Sequence, residues 1–202
     1  MAGKSARAKP IKKTKPKKPR ASPARPKFGA PTDAKLIERI VRVDHAGEYG
    51  AKRIYQGQMA VLGKNPRLKK LLQEMLDHEL EHLEYFEREI PKRRSRPTAL
   101  LPLWHVGGFA MGAVTAMMGE KAAMACTVAV EEAIEKHYQN QLAELAGREP
   151  ELRRAIAKFC ADEVHHRDIG IDHGARETPG YNTLYRVISK ITKSAIWLSE
   201  RV

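Results

Sequence analysis

The chain writes one side-chain pattern twice. Glu48 is followed 31 residues later by Glu79-Leu80-Glu81-His82, and Glu131 is followed 32 residues later by Glu163-Val164-His165-His166. The copies are offset by 83 residues at the single glutamates and by 84 at both members of each Glu-x-x-His. Residues i and i+3 share one face of a helix, so each Glu-x-x-His presents a carboxylate and an imidazole in one direction. A fold that uses both copies must gather four helices around them.

Apolar spacing supplies those helices. Five helical stretches can be read, and no segment sustains a period of two. The first spans about 33–62, with Thr32 or Asp33 as its N-cap. Gly63-Lys64-Asn65-Pro66 stops it, and Pro66 opens a second that runs to about Ile90. A connection from Pro91 to about Gly108 leads to a third helix, from about Met111 to Ala146, ended by Gly147. The fourth runs from near Pro150 to about His173. After the break at Thr178-Pro179-Gly180, an amphipathic helix runs from about Tyr181 to Arg201. Short links pair the first helix with the second and the third with the fourth, and one longer link crosses between the pairs. The expected architecture is all-α: a ferritin-like four-helix bundle with a pseudo-twofold repeat, plus an additional C-terminal helix.

The repeated residues fall on the stripes that face the core. Glu48 lies in line with Ile37, Val41, Ala51 and Tyr55, and Glu79 and His82 with Leu72, Met75 and Phe86. Glu131 lies in line with Met117, Met124, Val128 and Tyr138, and Glu163 and His166 with Leu152, Ile156 and Phe159. A buried carboxylate without a partner costs several kcal/mol or shifts its pKa until it is neutral. Two divalent cations would balance four glutamates, and two imidazoles would complete their coordination. We therefore read Glu48, Glu79, His82, Glu131, Glu163 and His166 as ligands of a two-metal centre. A thiolate-free set of carboxylates and imidazoles suits iron or manganese, and iron would bring oxygen chemistry. The competing reading is a set of solvated surface glutamates. It suits any one Glu-x-x-His, and it is the reading adopted for Glu81, Glu84, Glu87, Glu144 and Glu151. Duplication on four apolar stripes counts against it for the six.

Smaller assignments follow. Asp162, beside Glu163, is placed to orient a histidine ligand. Tyr138 is the candidate catalytic residue near the centre, against the alternative of a core tyrosine. His78, His165 and His173 read as surface or structural histidines. No Gly-rich dinucleotide fingerprint follows a strand, so no built-in flavin or nicotinamide site is expected.

The formal charge of +13 is unevenly placed. Residues 1–30 hold 11 Lys or Arg and no acid, and the remaining 26 basic residues face 24 acidic ones. That Lys/Pro-rich stretch has too little apolar surface to offset its chain entropy and reads as a disordered tail before a domain of residues 31–202. Anionic lipid is a partner it could take, and nucleic acid is not expected. It has no apolar core of a secretory signal. Cys126 and Cys160 form no CxxC motif, so a reducing compartment is expected. From Pro97 to Gly119, 23 residues carry no Asp, Glu, Lys or Arg. Pro102 and Gly107-Gly108 interrupt this run, which argues for a segment lying on a membrane over one that spans it. Gly108 and Gly112 form a GxxxG match, read as close helix packing.

Three stretches resemble a known family, the demethoxyubiquinone hydroxylases of ubiquinone biosynthesis: Val43-Asp44-His45-Ala46-Gly47-Glu48-Tyr49-Gly50-Ala51, Ala123 to Glu132, and His166-Arg167-Asp168-Ile169-Gly170-Ile171-Asp172-His173. The resemblance covers about residues 35–202 and includes the closing Leu198-Ser199-Glu200-Arg201. It implies two iron ions on the same six residues, with Glu79 and Glu163 as bridges. It also implies a monooxygenase that adds one oxygen atom from O2 to the ring of a demethoxyquinone or its quinol. A polyprenyl quinone substrate, other proteins of the same pathway and a peripheral place on the cytoplasmic side of a bacterial inner membrane follow from it. His165 departs from the family pattern, while Glu163-x-x-His166 keeps its register. Iron storage without an organic substrate is the alternative that the ligand set alone allows.

Overall fold

The computed structural model describes residues 33–202. The basic tail and the Thr32 cap lie outside the described residues. Within them the chain forms six α-helices and no strand. They are α1 (Asp33–Leu62), α2 (Pro66–Lys92), α3 (Leu101–Met117), α4 (Glu120–Glu144), α5 (Pro150–Asp172) and α6 (Tyr181–Ser199), with a 3-10 turn at Ala175–Glu177.

Local chemistry sets most boundaries. Asn65 caps α2: its side chain accepts hydrogen bonds from the backbone N–H of Arg67 at 3.0 Å and of Leu68 at 3.4 Å. Pro66 and Pro150 open their helices, where a missing N–H costs no internal bond. Pro91 falls within the last turn of α2, which ends at Lys92, two residues past the expected stop at Ile90. So near the end, the lost backbone bond is tolerated.

The largest difference from the sequence reading concerns the apolar run. The expected long third helix is two helices. Gly119 separates them with φ +110° and ψ 170°, a conformation open to glycine and not to residues with a Cβ. The sequence marks this break only by Gly119 itself and by the charged Glu120-Lys121 that follow it. Residues 101–108, read as the end of a connection, already belong to α3. Met117, placed on the inner stripe, belongs to α3 instead and is exposed. Gly108 and Gly112 do not interrupt α3. They let it lie against the backbone of α1: a Cβ on Gly112 would stand 2.0 Å from the Ile54 carbonyl oxygen, and one on Gly108 2.9 Å from that of Gly50. Gly57 on α1 returns the fit, with a Cβ there meeting the Phe109 oxygen at 2.2 Å.

These contacts redefine the repeat. α1 pairs with α2 and α4 with α5, α3 lies along α1, and α6 lies along α4. Each half is therefore a hairpin followed by a third helix folded back on the hairpin's first. The bundle carries two such helices, not the single C-terminal one expected. The all-α, ferritin-like assignment stands. Fully buried apolar side chains close the bundle around its middle, among them Ile40, Leu72, Phe86, Met124, Leu152 and Ile156. Each stabilises the fold by about 1.5–3 kcal/mol relative to exposure.

Candidate metal centre

Each bundle helix delivers its share of the repeated motif to one place. α1 carries Glu48, α2 carries Glu79 and His82, α4 carries Glu131, and α5 carries Glu163 and His166. All six side chains are buried, at no more than 1 % exposure. Their donor atoms fall into two overlapping groups: Glu48, Glu79, His82 and Glu163, and Glu79, Glu131, Glu163 and His166. Within each group, one atom from every residue lies within 4.8 Å of the others. Glu79 and Glu163 belong to both groups, so each can turn one oxygen to either side.

The cluster is short of partners. Both oxygens of Glu79, both of Glu163, Oε2 of Glu48 and of Glu131, and Nδ1 of both histidines are buried with no hydrogen bond. Native proteins rarely leave such atoms unsatisfied, and here they converge. Burial, reinforced by the charge of Glu163, holds the Glu79 and Glu131 carboxyls well above the usual carboxylate range. Burial also opposes a charge on His82, but the carboxylates of Glu163 and Glu48 outweigh it and push that imidazole up to about 12. At Glu163 the order is similar: burial is outweighed by His166 and His82, which hold the carboxyl down at about 2. Protons thus do the neutralising when no cation does. The donors are oxygens and imidazole nitrogens without a thiolate, a set that fits hard or borderline divalent cations. This buried cluster could hold metal ions.

The surroundings fix its orientation. Both histidines point Nδ1 into the cluster, 3.4 Å from Glu48 Oε2 for His82 and 3.1 Å from Glu79 Oε1 for His166. Their outer nitrogens are held from behind. His82 Nε2 meets Asp162 Oδ2 at 3.0 Å, as expected of Asp162. His166 Nε2 meets His78 Nδ1 at 3.0 Å, with the two rings within 14° of parallel and their centres 5.2 Å apart. Of the two readings of His78, surface or structural, the half-buried position and this contact support the structural one. The available signal was its position: His78 precedes Glu79 as Asp162 precedes Glu163.

Tyrosines cross between the halves. Tyr138 is a buried core tyrosine whose hydroxyl donates to Glu48 Oε1. Tyr55 donates to Glu131 Oε1 at 2.8 Å. Tyr55 was missed as a site residue, although each tyrosine follows its own helix's glutamate by seven positions. Burial and the neighbouring glutamates hold both phenols well above the usual range, so they act as donors. Further out, Gln141 Nε2 donates to Asp44 Oδ1 at 2.7 Å, and Gln58 Nε2 donates to Thr127 Oγ1 at 3.3 Å. The pairs 44–141, 48–138, 55–131 and 58–127 show that α1 and α4 run antiparallel across the centre. Burial pushes Asp44 up to about 6, against the opposing effect of His137. His165 is exposed, and His173, just past the end of α5, bonds Glu120 at the start of α4 at 3.1 Å. Glu81, Glu84, Glu87, Glu144 and Glu151 are exposed, as read.

An apolar cavity of about 280 Å³ opens between α1, α3 and α6. Gly47 and Ala51, which flank Glu48 on α1, line it together with Ile54, Trp104, Met111 and Ile134.

The family described as ubiquinone biosynthesis protein COQ7 matches residues 35–199, which takes in all but the first two residues of the six helices. The chain belongs to the COQ7 family. A relative named 3-demethoxyubiquinol 3-hydroxylase, from Rhodospirillum rubrum, is 52 % identical over 174 residues, covering 86 % of this chain and 82 % of its own. The Homo sapiens relative, NADPH-dependent 3-demethoxyubiquinone 3-hydroxylase, mitochondrial, is 51 % identical over 82 % of this chain and 78 % of its own. A Saccharomyces cerevisiae 5-demethoxyubiquinone hydroxylase, mitochondrial, is 40 % identical over 84 % and 79 %. The COQ7 match begins beyond the basic N-terminal stretch, which it leaves unassigned.

Proposed function

We propose that this protein is an O2-dependent di-iron monooxygenase that hydroxylates the ring of a demethoxyubiquinol or demethoxyubiquinone in ubiquinone biosynthesis. One observation carries the reading: two buried ligand groups share Glu79 and Glu163 within a chain of the COQ7 family. Glu48, Glu79, His82 and Glu163 would hold one iron, and Glu79, Glu131, Glu163 and His166 the other. Bound iron supplies the activation of dioxygen. The chain does the rest. Tyr55 and Tyr138 hold the terminal glutamates Glu131 and Glu48 by one oxygen each, which leaves the second oxygen of each free to bind. Packed apolar side chains exclude water from the centre, which protects a reactive site from side reactions. No dinucleotide site was read in the sequence, so reducing equivalents come from a separate donor or from the quinol.

The cavity between α1, α3 and α6 takes the quinone. It lies at the lower end of the roughly 300–1,000 Å³ usual for small-molecule pockets, and its walls are almost wholly apolar. Its outer helices continue that character to the surface. Leu103, Val106, Val114 and Met117 on α3, and Val187, Ile191 and Trp197 on α6, are more than half exposed. Among the described residues no helix is long and apolar enough to cross a membrane. The protein therefore rests on a bilayer through α3 and α6, and the polyprenyl tail enters there. We assign it to the cytoplasmic face of a bacterial inner membrane.

Iron storage lacks a use for this cavity and for two exposed apolar helices. A quinone extract tests the choice. Cells lacking this gene should accumulate demethoxyquinone, the wild-type gene should restore ubiquinone, and Glu163→Ala should not. Normal ubiquinone in the Glu163→Ala strain would refute the assignment. So would a purified protein that loads many irons in a soluble cage.

A further inference from the structure

The repeat is almost symmetric at the centre, and of the pairs at which it differs one lies directly behind the two histidines. Residue for residue, Asp162 on α5 corresponds to His78 on α2, each one position before a shared glutamate. Both reach across the bundle to the opposite helix's histidine. Asp162 backs His82 at 3.0 Å with a carboxylate, and His78 backs His166 at 3.0 Å with an imidazole. We propose that this exchange makes the two metal positions inequivalent. The position beside His82 binds a divalent cation more tightly and fills first, and His78 sets the weaker, more easily emptied position beside His166. The proposal rests on the two-metal reading above and deepens it.

The argument is one of donors and charge. Nδ1 of each histidine faces the cluster, so a metal there leaves the ring proton on Nε2. That N–H must donate outward. For His82 the acceptor is a carboxylate, which strengthens the imidazole as a ligand and adds a negative charge close to the cation. For His166 the acceptor is His78 Nδ1, so His78 must be the neutral tautomer with its proton on Nε2. A neutral acceptor withholds that charge. The glutamates do not compensate, since each group has three, two of them shared. Lys158 lies 3.9 Å from Asp162, but it is half exposed and bonds Glu81 at 2.5 Å, so it tempers the difference without removing it. The 3.0 Å contact from His78 orients the His166 ring as that from Asp162 orients the His82 ring. The contrast is therefore in ligand strength and not in order.

Cobalt(II) titration of the metal-free full chain, followed by visible absorption and calorimetry, tests this without turnover. Two equivalents should bind in two steps. Asp162→Asn should weaken the tighter step by about 10- to 100-fold, the usual effect of removing such a partner, and leave the weaker one in place. His78→Asp should tighten the weaker step until the two merge. His78→Gln, a neutral partner of similar reach, should preserve two steps. With iron-57, the wild type should give two unequal Mössbauer doublets, and His78→Asp should bring them together. Two equivalents bound with one affinity in the wild type, or a His78→Asp protein whose weaker step does not move, would overturn the inference and leave the two-metal reading intact. Binding of fewer than two equivalents would overturn both.

Discussion

Replacing Glu79 by Gln should have opposite effects on the metal-free and metal-loaded protein. Glu79 is fully buried, neither oxygen has a partner, and burial beside Glu163 and Glu48 holds its carboxyl well above the usual carboxylate range. A raised acid contributes stability below its unfolded pKa and loses it as pH rises toward its folded pKa. In the metal-free fold Glu79 keeps a proton that the unfolded chain has released. Stability then falls by about 1.4 kcal/mol for each pH unit above the unfolded value. Gln has the shape of a protonated Glu and no such slope. Above the unfolded value the metal-free Glu79→Gln protein should therefore be the more stable of the two, by a margin that widens as pH rises. Saturating manganese(II) should reverse the order. Two cations at a hundred times their dissociation constants stabilise the wild type by about 5 kcal/mol, and the variant has lost a shared charged ligand. Urea unfolding at pH 5, 6, 7 and 8, with chelator and with metal, reads both effects. Parallel pH curves for the two metal-free proteins, together with equal stabilisation by metal, would refute the reasoning.

Tyr55→Phe and Tyr138→Phe should each strip a buried glutamate oxygen of its donor and cost about 1–3 kcal/mol of metal-free stability, measured by denaturant unfolding. Because the two contacts are related by the repeat, the losses should be similar, and a tenfold disparity in their effect on metal affinity would contradict that. Gly112→Ala places a methyl 2.0 Å from the Ile54 oxygen, so α3 must move off α1. The expected loss is about 1–3 kcal/mol in a thermal melt, with weaker quinone binding by fluorescence titration. Asp44→Asn should flatten one step of the pH profile: burial raises Asp44 from 3.8 to about 6, so metal-free wild type loses up to about 3 kcal/mol as pH rises through that window. An unchanged profile in the variant would rule Asp44 out as its source. Vesicles rich in anionic lipid should retain the wild-type protein in flotation, and Val106→Glu with Trp197→Glu should release it without lowering its melting temperature.

The ligand set was legible because its signal is local and repeated. Helical periodicity places Glu79 with His82 and Glu163 with His166 whatever the rest of the chain does, and apolar stripes reveal which face is buried. The hairpins were legible for the same reason, since Asn65-Pro66 and Gly147 punctuate them. Three matters were decided only by tertiary structure. The break at Gly119 depends on the backbone conformation of one residue, which the end of the uncharged run there does not by itself dictate. The role of α3 depends on how closely Gly108 and Gly112 let it approach α1, a fact about two helices and not about either one. Which histidine Asp162 holds, and that His78 holds one at all, depend on what faces them across the bundle: each is remote in sequence from its ring, by 80 and 88 residues. Periodicity reports the direction a side chain points. Packing alone determines what it meets there.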